Sequence, residues 1–145
     1  MKHALAVLAV AVLVGVARPG GDADKKVLAK IQGTWRFTSV VMDGKESPPE
    51  EFKGRTITFS GDKWVVRQGE KTLQAGTHKF DPGKKPPQVD AAVSEGEGKG
   101  NTMLGIYELK GDTLRVCFDP QGKERPTSLT PKAGQFGATD RREKK

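Results

Sequence analysis

The chain has 145 residues, 25 Lys plus Arg against 18 Asp plus Glu, a formal net charge of +7 and one cysteine. That length supports one domain with its own hydrophobic core and is too short for two. The single Cys117 excludes an internal disulfide, so packing alone must hold the fold.

Lys2 and His3 precede Ala4 to Val16, an uncharged run of Ala, Val, Leu and one Gly, with small residues at Gly15 and Ala17 and a break at Arg18-Pro19. This pattern predicts a secretory signal peptide over residues 1–17, cleaved near Ala17. The alternative, a membrane anchor, needs about 20 apolar residues, and the run falls well short of that. No Cys follows it to carry a lipid. The expected protein is therefore exported, to a periplasm, a cell envelope or the medium, without a transmembrane anchor. Its domain covers residues 18–140, and a basic tail covers residues 141–145. Cleavage removes Lys2 alone among the charged residues and takes the charge from +7 to +6. A basic exported domain can touch an anionic envelope polymer, or its charge simply keeps it soluble. Nucleic acid is not an expected partner.

Asp22 or Asp24 would cap a short helix over Lys25–Ile31, closing before Gly33. From Trp35 onward the chain alternates in the two-residue period of antiparallel sheet. Trp35, Phe37, Ser39 and Val41 fall on one face, and Arg36, Thr38 and Val40 on the other. Residues 41–54 read as a polar crossover in which Pro48 to Glu51 makes one helical turn. Ser60-Gly61-Asp62 and Gln68-Gly69-Glu70 are hairpin signals beside Ile57/Phe59 and Trp64/Val66. A strand in residues 71–83 ends at Asp81-Pro82-Gly83, and Val89, Ala91 and Val93 share a face of the next. Tyr107/Leu109 and Leu114/Val116/Phe118 flank Lys110-Gly111-Asp112. Residues 135–139 form a last, weak strand, because Gly134 and Gly137 lower its β-propensity. The sum is an all-β fold: a single antiparallel barrel of about eight strands with a short N-terminal helix. The expected inward set is Trp35, Phe37, Ile57, Phe59, Trp64, Val66, Leu73, Tyr107, Leu109, Leu114, Val116 and Phe118. So many bulky side chains fill a barrel at least as readily as they line a cavity.

Residues with the means for chemistry are few. His78 is the one histidine left after cleavage, with no Cys or second His to complete a metal site. Ser39, Ser60, Ser94 and Ser128 sit in no nucleophile elbow. Glu50/Glu51 and Glu95/Glu97 fall on polar loops. No catalytic residue, metal or cofactor is expected, and the chain reads as a non-enzyme. Cys117 is either a bridge to another chain or a small buried hydrophobe. A guanidinium at Arg125-Pro126 is expected near the barrel mouth, and Lys79, Lys84 and Lys85 form a basic cluster on loops.

Gly33-Thr34-Trp35 at the head of the first strand resembles the lipocalin signature. "IQGTWRFTSVVMDGK", "ITFSGDKW", "KFDPGKKPPQVD" and "GIYELKGDTLRVCFDPQGKERPT", in this order, resemble an uncharacterised planctomycete family of small exported lipocalin-like domains. The resemblance implies that Gly33 and Trp35 close one end of the barrel under an arginine of the last strand, Arg141 or Arg142. Two departures stand out. Ser128-Leu129 replaces an acidic residue and Phe, and "GQFGATDRR" replaces an aliphatic closing strand. The leading functional expectation is a monomeric binding domain holding a small apolar or amphipathic ligand in the barrel, with Phe37, Phe59, Trp64, Tyr107 and Phe118 as wall. The alternative is a structural or interaction domain with a filled barrel, acting at the cell envelope through basic loops.

Overall fold

The computed structural model describes residues 21–143, so the expected signal peptide, its cleavage site, Lys144 and Lys145 lie outside the described residues. Helix α1 spans Gly21–Ile31, so it begins ahead of both expected caps and takes Asp22 and Asp24 into its first turns. Val27, Leu28 and Ile31 pack on the core. Their spacing puts them on one helical face. Gly33, at φ 112°, turns the chain from α1 into the first strand. That backbone conformation is open to glycine and strained for any other residue.

Strand β1 (Gly33–Met42) is followed by β2 (Lys45–Glu46), a two-residue appendage paired with the end of β1 across an Asp43-Gly44 turn. Both turn residues have positive φ, 53° and 80°, as the tight hairpin turn demands. Helix α2 (Pro49–Phe52) occupies the expected crossover and buries Phe52. The remaining strands are β3 (Arg55–Ser60), β4 (Lys63–Gln68), β5 (Lys71–Asp81), β6 (Gln88–Gly96), β7 (Thr102–Lys110), β8 (Thr113–Asp119) and β9 (Phe136–Arg142). Each pairs antiparallel with its successor, and β9 pairs back onto β1 from Trp35↔Arg142 to Met42↔Phe136. The result is a closed eight-stranded barrel of β1 and β3–β9.

Two sequence expectations need correction. The alternation read through Ser39 and Val41 breaks at a β-bulge: Phe37 pairs with Asp140, but Ser39 pairs with Thr139. Thr38 is the extra residue, and its hydroxyl donates to Thr139 O at 3.0 Å. The bulge flips the faces beyond it, so Val40 is buried in place of Ser39 and Val41. The last strand also starts and ends later than expected, running two residues into the stretch read as tail. Partners on both sides, β8 and β1, override its weak propensity.

The expected inward residues all belong to the core or pack on it, joined by Phe80, Val89, Ala91, Val93 and Met103. A second layer lies outside the barrel. Ile106 and Cys117 pair on the outer face and are both buried. Residues 120–135 cross this face as a loop. Its Pro131 packs so closely on Gly137 that a Cβ there would come within 2.7 Å of the ring.

Candidate functional site

The closed end is built around Trp35, which is fully buried, and its indole N–H donates to Ile31 O at 2.9 Å. Arg142 lies over the indole, its Cζ 4.3 Å from the ring centroid. Its Nε donates to Asp112 Oδ1 at 3.1 Å, Nη1 to Gln32 O at 3.2 Å, and Nη2 to Lys30 O. The final carbonyls of a helix have no partner within the helix. Here one indole and one guanidinium supply the donors. Gln32 adds a staple across the same end: its amide donates to Gly61 O at 3.2 Å and accepts from Gly61 N at 2.8 Å. Arg141 faces outward and donates to Thr113 Oγ1 at 3.2 Å. Of the two candidate arginines, Arg142 is the one on Trp35.

The five expected wall residues separate into two groups. Phe59, Trp64, Tyr107 and Phe118 are buried in the packed interior. Phe80, which sequence reasoning did not select as wall, joins two of them, Phe59 and Tyr107. Its ring stands edge-on to Phe59 at 6.1 Å, to His78 at 4.9 Å and to Tyr107 at 5.0 Å. Phe118 stacks on Phe136 at 5.5 Å. Phe37, by contrast, is half-buried and borders a groove on the side of the barrel.

That groove exists because β1 and β3 pair only from Gly33↔Phe59 to Arg36↔Thr56 and then part, with α2 packed against β1 beyond the split. It is an open groove of about 460 Å³, lined by the apolar Phe37, Pro49 and Phe52 and the charged Arg36, Glu50 and Lys53 among others. Arg55 lies beside it, its Cζ 5.7 Å from the Phe37 ring centroid. Arg55 Nη2 donates to Glu51 O at 3.1 Å and to Gln68 Oε1 at 3.2 Å. Its Nε is buried and has no partner among the described residues. Burial lowers the Arg55 pKa, and the nearby Glu51 charge opposes that shift.

Two further polar side chains are buried without full partnership. Both ring nitrogens of His78 lack a hydrogen-bond partner among the described residues, and its neighbours are the Phe59 and Phe80 rings. Burial lowers its pKa, with Asp62 opposing, which favours the neutral imidazole. Asp140 is 3% exposed, paired in register with Phe37 and Leu114, and its Oδ1 has no partner among the described residues. Burial pushes its carboxyl up to about 8, so it is protonated at neutral pH. Sequence reasoning missed Asp140 because "TDRR" reads as a charged tail.

The outer loop is fixed at its start by Asp119. That carboxylate accepts the backbone N–H groups of Glu124 at 2.8 Å, Gln121 at 3.0 Å and Lys123 at 3.1 Å, which hold it below the usual carboxylate range. Arg125 lies against the outer wall, not at the mouth as expected. Its Nη1 is 2.7 Å from Asp90 Oδ1 and 3.0 Å from Gly105 O. The loop encloses a second pocket of about 190 Å³.

Cys117 is fully buried beneath this loop, and burial pushes its thiol pKa up. Among the described residues no group of three or more His, Cys, Asp or Glu is placed to hold a metal, and no helix is long and apolar enough to cross a membrane. The chain matches no family model, no curated protein and no solved structure.

Proposed function

We propose that the chain is an exported, monomeric, lipocalin-like binding domain, released by cleavage near Ala17 and related to the planctomycete family its motifs resemble. It takes an amphipathic anion in the side groove between β1, β3 and α2, without catalysis, while the aromatic interior serves as framework. The observation that carries this reading is the half-buried Arg55, which follows Gly54 of the groove lining, has its Cζ 5.7 Å from the Phe37 ring centroid and keeps an Nε with no partner among the described residues. A partly desolvated cation with a free donor is costly, and a carboxylate would supply a charge-assisted hydrogen bond. An alkyl chain would cover the phenyl rings. A volume of about 460 Å³ falls within the range of small-molecule sites.

The test is calorimetric titration of residues 18–145 with dodecanoate and with dodecanol. One dodecanoate per chain should bind, dodecanol should bind at least about tenfold more weakly, and Arg55→Met should abolish the preference. Equal binding of the two compounds, or an unchanged preference in Arg55→Met, would sink the proposal.

A second reading has its own support in the close packing of Phe59, His78, Phe80 and Tyr107. In it the barrel is a filled scaffold that meets an anionic envelope polymer through the exposed Lys79, Lys84 and Lys85. Such surface binding should weaken steeply with added salt, whereas binding in the groove should respond less.

A further inference from the structure

The outer pocket shares no residue with the side groove and is held by a different part of the chain. A loop as long as residues 120–135 without helix or strand is uncommon in a compact domain unless it does something. This one is also rigidly set. Asp119 fixes its first turn, Arg125 is tied to Asp90 and Gly105, Pro131 packs on Gly137, and Gln135 Oε1 accepts Lys132 N at 2.9 Å. A site held this way loses little entropy when it binds.

We propose that this pocket binds a hydroxyl-bearing carboxylate, namely one uronic-acid unit of an acidic sugar. The lining offers the hydroxyls of Thr127 and Thr130, each able to donate and accept as sugar hydroxyls require, and that of Ser128, whose oxygen already accepts Thr130 N at 3.1 Å and whose proton remains to donate. Gln135 commits its carbonyl oxygen to Lys132 N, which leaves its amide N–H groups for a ligand. Lys132 supplies the positive charge, and its ammonium has no carboxylate within 4.0 Å among the described residues. Arg125 is already committed to Asp90. Glu124, on the same lining, accepts from ligand hydroxyls and repels a multiply charged anion. One cation, one carboxylate and several hydroxyls suit a singly charged polyol better than phosphate or sulfate. About 190 Å³ is small for an ordinary ligand site and suits a single sugar ring.

The experiment is an NMR titration of residues 18–145 with glucuronate, glucose and inorganic phosphate. Glucuronate should bind with a Kd of about 1 mM or tighter, shifting the amides of Thr127, Ser128 and Lys132. Glucose should bind at least about tenfold more weakly, and Lys132→Ala should cost glucuronate about tenfold while leaving the melting temperature in place. Ser128→Ala, which removes a hydroxyl and no charge, should weaken glucose and glucuronate alike. A tetra-uronate that binds more tightly than the monosaccharide points to a polymer as the source, and one that does not points to a free sugar acid. Either outcome keeps the shared chemistry. The proposal is overturned if glucuronate shifts nothing at about 50 mM. It is equally overturned if phosphate binds as tightly, if glucose matches glucuronate, or if Lys132→Ala binds as before.

Discussion

Two arginines lie over two aromatic rings that alternate on β1, Arg142 over Trp35 and Arg55 over Phe37. They do opposite things. Arg142 has its donors matched by Asp112, Gln32 and Lys30, over an indole that is itself buried and hydrogen-bonded. Arg55 has two acceptors, a half-buried ring beneath it and an Nε with no partner among the described residues. The completed pair closes the barrel. The incomplete pair borders a groove, and buried polar groups are so regularly satisfied that an exception calls for a cause. Position on the same strand is no guide to role here; the tally of hydrogen-bond partners is.

The largest break in this comparison should come from Trp35→Ala, which empties the closed end and strips the donor from Ile31 O. We expect a loss of about 3–5 kcal/mol in chemical denaturation, and a loss near zero would remove the closing role.

Next comes pH. The Asp140 carboxyl is raised to about 8 in the folded chain, against about 3.9 for an unfolded Asp. Below both values the carboxyl is protonated in either state and stability is at its full level. As pH rises from about 4 to about 8, the unfolded chain loses the proton while the folded chain keeps it, so stability falls. Between pH 5 and 7 the wild type should lose about 3 kcal/mol relative to Asp140→Asn. Denaturation midpoints that track each other across this range would contradict the buried acid.

Arg142→Met leaves two carbonyls at the end of α1 and the Asp112 carboxylate without their donor. It should cost about 1–3 kcal/mol, read from the same denaturation curves, and a neutral result would shift the closing role to Trp35 alone. The smallest effect is expected at the other arginine. Arg55→Met, free of ligand, should fall within about 1 kcal/mol of wild type, because a methionine there needs no counter-charge and keeps the apolar stem. A loss as large as that of Arg142→Met would make Arg55 another structural cation and erase the contrast.

Much of the frame was legible in the sequence because it rests on local rules. Turns at Gly61-Asp62 and Gly111-Asp112 announce hairpins, and strict alternation in Ile57/Phe59, Trp64/Val66 and Leu114/Val116/Phe118 announces the inward face. The Thr38 bulge was not legible, since Ser39 and Val41 continue the alternation as plausibly as Val40 replaces it. Asp140 was hidden because its neighbours Thr139, Arg141 and Arg142 are polar, and only pairing on both sides of β9 carries it inside. The groove depends on where β1 and β3 part, and the outer pocket on how residues 120–135 cross Gly137. Neither tertiary event leaves a period in the sequence. Phe37, expected as barrel wall, borders the side groove.

Ligand bound at the side of this barrel, next to Arg55, would leave a different footprint from ligand held within the aromatic interior. Amide chemical-shift mapping with dodecanoate distinguishes the two. Binding in the groove should concentrate shifts at Thr38, Phe52, Gly54 and Arg55, with Val89, Ala91 and Met103 unmoved. Shifts led by Val89, Ala91 and Met103 would place the ligand among the core residues and contradict it.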